Sequence, residues 1–201
     1  MTLNLNNARF VTAAHKPSQW VQDHGCEVAF AGRSNSGKST ALNAIVGHRR
    51  LAITSKTPGR TQQIVFFQID PEHRLIDLPG YGYAKVPPEV QRHWAGVIER
   101  FLTTRRSLQA MILTMDIRHP LKQLDTQLLN WCIESAVDVH ILLTKADKLS
   151  KSKQANAKRT VEDEFKGVSG VSVQVFSGRT GLGVEQARAR VISLLRNDST
   201  G

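Results

Sequence analysis

The stretch EVAFAGRSNSGKSTALNAIVG, Glu27 to Gly47, decides the fold. Its opening EVAFAG is an apolar run that reads as a short buried strand, and KSTALNAIVG reads as a helix. Between them Gly32, Gly37, Lys38 and Ser39 satisfy the spacing G-x-x-x-x-G-K-[ST], placed between strand and helix as that motif requires. Glycines let a chain curl around an anion with no Cβ in the way, so backbone N–H groups and the helix N-terminus converge on phosphate oxygens. The loop is therefore expected to cradle phosphate, with Lys38 neutralising β- and γ-phosphate charge and the Ser39 hydroxyl ligating Mg²⁺.

Outward from this loop, apolar and amphipathic runs alternate. Strands are expected at EVAFAG (27–32), QQIVFFQI (62–69), RLIDL (74–78), LQAMILTMDI (108–117), VDVHILLTK (137–145) and VSVQVFSG (171–178). Helices are expected between them: one carries Val90, Trp94, Val97, Ile98 and Phe101 on its apolar face, one carries Leu121, Leu124, Leu128 and Leu129, and two more cover 151–166 and 183–196. The rhythm predicts an α/β domain with a mostly parallel six-stranded sheet, helices on both faces and one antiparallel edge strand. The antiparallel pair is placed at QQIVFFQI and RLIDL, because the short DPEH between them leaves no room for a crossover. Two long irregular connections, 48–61 and 79–88, should emerge at the edge of the sheet that carries the phosphate loop.

The chain has 201 residues, 40% of them hydrophobic, which suits one domain with one sizeable core. Its two cysteines, Cys26 and Cys132, are too few for a disulfide framework and point to a reducing, cytoplasmic setting. No segment reaches the roughly 20 apolar residues a membrane span needs. Charge is the unusual bulk property: 27 Lys and Arg against 17 Asp and Glu give a net +10. From Val28 to Ile69 there is no acidic residue, while Arg33, Lys38, Arg49, Arg50, Lys56 and Arg60 all occur. A second cluster holds Lys145, Lys148, Lys151, Lys153, Lys158 and Arg159 against Asp147 alone. Such clusters either keep a surface solvated or meet a polyanion, and two of them in so basic a chain favour RNA.

TKAD, Thr144 to Asp147, ends the strand VHILLT and selects the base. An aspartate there accepts from the ring N–H and the exocyclic amine of guanine, whereas adenine would leave the carboxylate unpaired. Lys145 can lay its stem over the base while bracing the phosphate loop. DLPG, Asp77 to Gly80, places Asp77 to reach Mg²⁺ through a water and the Gly80 N–H to meet the γ-phosphate. Thr61 can complete the Mg²⁺ shell when the γ-phosphate is present, making the two long loops a nucleotide-sensing pair. At FSG, Phe176 to Gly178, the Gly178 N–H can bond the guanine carbonyl oxygen.

The order GRSNSGKS, TPGRTQ, DLPGYGYAKV, DIRHP, LLTKADK resembles the EngB (YihA/YsxC) family of bacterial GTPases over nearly the whole chain. The resemblance implies a Ras-like P-loop G domain that acts as a switch in assembly of the large ribosomal subunit, with GTP and GDP, ribosomal RNA and the 50S precursor as partners. It implies Ser39 and Thr61 as Mg²⁺ ligands. It implies a nucleotide surrounded by Gly32, Arg33, Ser34, Asn35, Ser36, Gly37, Lys38, Ser39 and Thr40, by Gly59, Arg60, Thr61, Gln62 and Gln63, by Asp77, Leu78, Pro79 and Gly80, by Thr144, Lys145, Ala146 and Asp147, and by Phe176, Ser177 and Gly178. FSGRTG departs from the family, which more often has a second Ser there, but a backbone contact tolerates the change. The expected organisation is an extension at 1–26 packed on a G domain at 27–196, with a disordered tail at 197–201, in a monomer.

Catalysis is expected to rest on Lys38, Thr61 and Asn35. Tyr81 stands where many Ras-like GTPases carry a glutamine, so unaided turnover should be slow. Asn35 either ligates a potassium ion beside the phosphates or hydrogen-bonds within its loop. Asp116 and Arg118 of DIRHP either shape the strand exit or contact a partner. The function from another class is a GTP-dependent protein-binding switch in which hydrolysis is incidental.

Overall fold

The computed structural model describes residues 3–52, 63–82 and 88–197, except the side chains of residues 88, 90, 91, 93 and 94. Among these residues seven strands form one sheet: β1 Arg9–Ala14, β2 Cys26–Gly32, β3 Ile64–Gln68, β4 His73–Asp77, β5 Leu108–Asp116, β6 Asp138–Thr144 and β7 Val171–Val175. Their spatial order is β1-β3-β4-β2-β5-β6-β7. Five α-helices accompany them: α1 Lys38–Val46, α2 Pro88–Thr104, α3 Gln123–Glu134, α4 Lys151–Glu164 and α5 Val184–Leu195. The side chains of Val90 and Trp94, two apolar positions expected on α2, lie outside the described residues.

The strand count and the edge need correcting. The sheet has seven strands rather than six, and β3 is not its edge, because β1 pairs with it antiparallel, Arg9 against Gln68 and Ala14 against Ile64. β3 and β4 form the expected antiparallel pair, with Val65 opposite Asp77. β1 escapes a periodicity search because it is half a strand in hydrophobic terms: Phe10 and Val11 are both exposed and the register slips between Phe10 and Thr12.

β2 shows why the run EVAFAG becomes a central strand. Val28 and Phe30 point into one buried layer with Leu42, Ile45, Val191 and Leu195 of α1 and α5. Ala29 and Ala31 point into the other, with Ile98, Phe101, Leu128 and Val161 of α2, α3 and α4. Covering both faces removes the alternation that a half-exposed strand would show. β4, β2, β5, β6 and β7 run parallel, so their C-terminal ends share one edge of the sheet. Ligands of open parallel sheets bind at that edge.

The opposite edge is closed by charge. Glu27, fully buried, accepts from Arg105 Nη2 at 2.6 Å and Nε at 2.7 Å and from Arg74 Nη1 at 3.1 Å. Arg105 also donates to the carbonyl of Val21 at 2.8 Å and lies 5.3 Å from the ring centre of Phe66. A carboxylate this deep is tolerated because its oxygens meet cations on two sides.

Candidate functional site

Hydroxyls and glycines fix the phosphate loop before any ligand is considered. Gly32 pairs with Thr114 of β5, and a Cβ on Gly32 would fall 2.1 Å from Thr114 Oγ1, so only glycine fits. The buried Ser36 hydroxyl bonds Thr114 Oγ1 at 2.7 Å, and Thr114 donates to the Ala31 carbonyl at 3.0 Å. From the other side Thr144 Oγ1 meets the Ser36 carbonyl and the Met115 carbonyl, the latter at 2.9 Å. Gly37, at φ 95°, then turns the chain into α1. Ser36 is thus pinned by β5 and β6 just ahead of α1.

β6 and β7 deliver the second group of residues. Lys145 adopts φ 58°, and its ammonium donates to the backbone carbonyl of Asn35 and to Asp116 Oδ2 at 3.0 Å. Asp147 Oδ1 accepts from the buried Ser177 hydroxyl at 2.7 Å. That bond is the main reason the Asp147 carboxyl sits below its ordinary pKa, with Lys148 and Arg179 adding to it. Burial pushes the Asp116 carboxyl up, but hydrogen bonds from Arg118 and Lys145 outweigh burial and hold it well below the usual carboxylate range. Ala146 N–H donates to the Phe176 carbonyl at 3.1 Å, which ties TKAD to FSG. Gly178 packs so closely on α1 that a Cβ there would lie 2.9 Å from Thr40 Cγ2.

β4 supplies the third group. Asp77 forms an ion pair with Lys38, and both side chains are largely buried. Tyr81 N–H reaches the Gly32 carbonyl at 3.4 Å, and the Tyr81 carbonyl accepts from Ser34 at 2.7 Å. Its phenol turns inward and donates to Asp125 Oδ1 of α3 at 2.7 Å, with both residues buried. Burial raises the pKa of each group of that pair. Tyr81→Phe leaves a buried carboxyl short of a donor and is expected to lower stability by about 1–3 kcal/mol. Urea unfolding measures it, and an unchanged midpoint would show that Asp125 is satisfied without the phenol.

A cleft of about 730 Å³ opens over the phosphate loop and the end of β4, lined by residues 33–35, 37–40 and 77–80 and by Lys145 and Gln63; Asp147, Ser177 and Gly178 do not line it. A second cavity of about 860 Å³, lined by Thr40, Asn43, His48, Arg49, Arg50 and Gly178, adjoins it through the shared Thr40 and Ala52. Ser36 is pinned beneath the cleft. Leu78, Ala146 and Phe176 are buried, so they can serve a ligand only through their backbone. Gln63 donates its amide N–H to His15 Nε2, just beyond β1. Gly59, Arg60, Thr61 and Gln62 lie outside the described residues, and Thr61 with them as metal ligand and catalytic group. Among the described residues no group of three or more His, Cys, Asp or Glu could hold a metal by itself. The hydroxyl of Ser39 and the carboxylate of Asp77 are hard oxygen donors on one wall of the cleft, a set that suits Mg²⁺ shared with phosphate oxygens. Sequence reasoning missed Thr114, Asp125 and His15. Of these only Thr114 had left a trace, a polar residue inside an apolar strand.

A family model described as a 50S ribosome-binding GTPase matches residues 27–145. The probable GTP-binding protein EngB of Stenotrophomonas maltophilia is 52% identical over 94% of this chain and 95% of its own length. The chain belongs to the EngB family. The EngB protein of Xanthomonas euvesicatoria is 51% identical over 95% of this chain and 93% of its own length. A crystal structure of a probable EngB protein superimposes with a TM-score of 0.70 at 21% identity, covering 86% of this chain and 100% of that one. Era, in complex with MgGDPNP and a segment of 16S ribosomal RNA, superimposes at 0.65 with 19% identity, covering 86% of this chain and 57% of that one. The Ras-like G fold is shared with both. As an EngB protein the chain binds GTP and GDP and hydrolyses GTP.

Proposed function

We propose that this GTPase is a cytoplasmic, monomeric switch in assembly of the large (50S) ribosomal subunit, docking on ribosomal RNA in its GTP state. In this reading Lys38 leaves its ion pair with Asp77 for the β- and γ-phosphates, the Gly80 N–H senses the γ-phosphate, and Asp147 reads guanine. Ser39 and Thr61, with Asp77 through a water, would hold Mg²⁺, which supplies charge neutralisation on the phosphates. The amide oxygen of Asn35 would hold K⁺.

The observation that carries the RNA partner is a pair of exposed arginines beside the cavity that adjoins the nucleotide cleft. Arg49 and Arg50 are exposed beside the 860 Å³ cavity and form no ion pair among the described residues. In the second cluster Lys158 pairs with Glu162 at 3.0 Å, Arg159 lies 3.9 Å from Asp163, Lys145 holds Asp116 and Lys148 lies 3.8 Å from Asp147, while Lys151 and Lys153 are exposed on α4 with no ion pair among the described residues. Exposed cations beside the nucleotide cleft suit phosphate contacts. The name of the family model, a 50S ribosome-binding GTPase, supports the same partner.

Cosedimentation with 50S precursors, with GDP or a nonhydrolysable GTP analogue, tests the proposal across a salt series. Binding should require the analogue and weaken steeply with salt. Replacing both Arg49 and Arg50 with Ala should flatten the salt slope by up to about one unit for each phosphate contact removed. Salt-independent binding would instead mark an apolar protein partner, and an unchanged slope would return both arginines to a solubilising role.

A further inference from the structure

Asp116, the first residue of DIRHP, ends β5 directly across the parallel ladder from Thr144 of TKAD. That register places the Asp116 carboxylate beside Lys145. Asp116 Oδ1 accepts from the backbone N–H of Arg118 at 3.1 Å and from its Nε at 2.9 Å. Asp116 Oδ2 accepts from Arg118 Nη2 at 2.7 Å and from Lys145 Nζ at 3.0 Å. The same ammonium donates to the backbone carbonyl of Asn35 in the phosphate loop.

Each contact in this chain has a different physical effect. The guanidinium fork of Arg118 engages both oxygens, which fixes the plane of the carboxylate. A fixed carboxylate gives Lys145 a second acceptor, which helps a flexible four-carbon stem stay on the carbonyl of the exposed Asn35. Asn35 and Lys145 both lie in the left-handed region, at φ 63° and 58°, where residues other than glycine are uncommon. The ammonium bridges these two turns. A plain strand-exit staple between Asp116 and Arg118 would leave Oδ2 uninvolved with Lys145.

We propose that Asp116, clamped by Arg118, is a positioning residue that holds the Lys145 ammonium on the Asn35 carbonyl, so that the guanine end of the site and the phosphate loop are ordered as one unit. The inference rests on Lys145 lying in the nucleotide site.

Release of a fluorescent GDP from Asp116→Asn, Lys145→Met, the double variant and Arg118→Ala tests it, with thermal unfolding as the control for folding. In Asp116→Asn an amide N–H₂ can face the ammonium, and release should accelerate about tenfold, the low end for losing a hydrogen bond to a charged group. Lys145→Met should accelerate release at least as much, and the double variant should be no faster than Lys145→Met. Arg118→Ala should accelerate release by a smaller factor that also vanishes without Lys145. A wild-type release rate in folded Asp116→Asn, or its full effect persisting in the Lys145→Met background, would overturn the proposal. If Asp116→Asn does not fold, Arg118→Ala decides in the same cycle: an effect lost with Lys145 supports the proposal and one retained overturns it. A normal release rate in Lys145→Met would overturn the placement of Lys145 itself, a separate failure.

Discussion

Asp147→Asn is expected to lose GTP affinity by about 10²–10⁴-fold and to gain affinity for xanthosine triphosphate. The range follows from two hydrogen bonds to a charged acceptor, at about 1.5–3 kcal/mol each. The carboxylate is already held in its ionised form, since Ser177 donates to one oxygen at 2.7 Å, while Lys148 and Arg179 lie 3.8 and 4.0 Å from the other. All three favour the charged form, so under the proposed role a full acceptor would meet the ring N–H and the amine of guanine. An asparagine offers one acceptor and one donor, which matches xanthine, whose second carbonyl replaces the amine. Ser177 can still donate to the asparagine oxygen, so the variant should keep its orientation and change only its pattern of donor and acceptor. Competition titration with guanine and xanthine nucleotides measures the swap, and full GTP affinity in the variant would remove Asp147 from base recognition.

The parts of this site that were legible in the sequence are those with a local signal. The glycine and lysine spacing at 32–39, and TKAD and DLPG at strand ends, are short strings whose positions on the sheet follow from a continuous apolar run before each. The groups that hold them in place are different in kind. Tyr81 and Asp125 are 44 residues apart, and Glu27 and Arg105 are 78 apart. No periodicity records such pairs, because each is a single polar residue whose partner is set by the topology. β1 was lost for a related reason: its stability comes from pairing with β3 along a bulged edge rather than from an apolar stripe of its own. The charge clusters were legible as composition and misleading as surface. The sequence weighs both equally, whereas the helical spacing of Lys158 to Glu162 and Arg159 to Asp163 pairs two of the four cations of α4 and leaves Lys151 and Lys153 exposed.

GTP hydrolysis is expected to be faster in K⁺ than in Na⁺ at equal ionic strength, more so with ribosomal particles present. Tyr81 cannot orient the attacking water, because its phenol is committed to Asp125 in the interior. With no glutamine to orient the water, the other lever on the barrier is stabilisation of the charge that develops on the phosphates. Asn35 is exposed, its backbone carbonyl is engaged by Lys145, and its carboxamide makes no hydrogen bond among the described residues. In one reading that side chain only ties its own loop together; in the proposed one its oxygen is a hard ligand for a monovalent cation. A cation there would take the place of an arginine finger, whose effect of roughly 10³–10⁵-fold sets the ceiling. Asn35→Ala should abolish the difference between the two salts. Because position 35 sits at φ 63°, alanine also strains the loop, and Asn35→Gly separates the two effects by removing the amide while easing the backbone. Loss of the K⁺ preference in both variants, with GDP affinity retained in Asn35→Gly, assigns the ion to the amide oxygen. Equal rates in both salts for the wild type, alone and on the ribosome, would leave Asn35 structural and place the source of catalysis outside this chain.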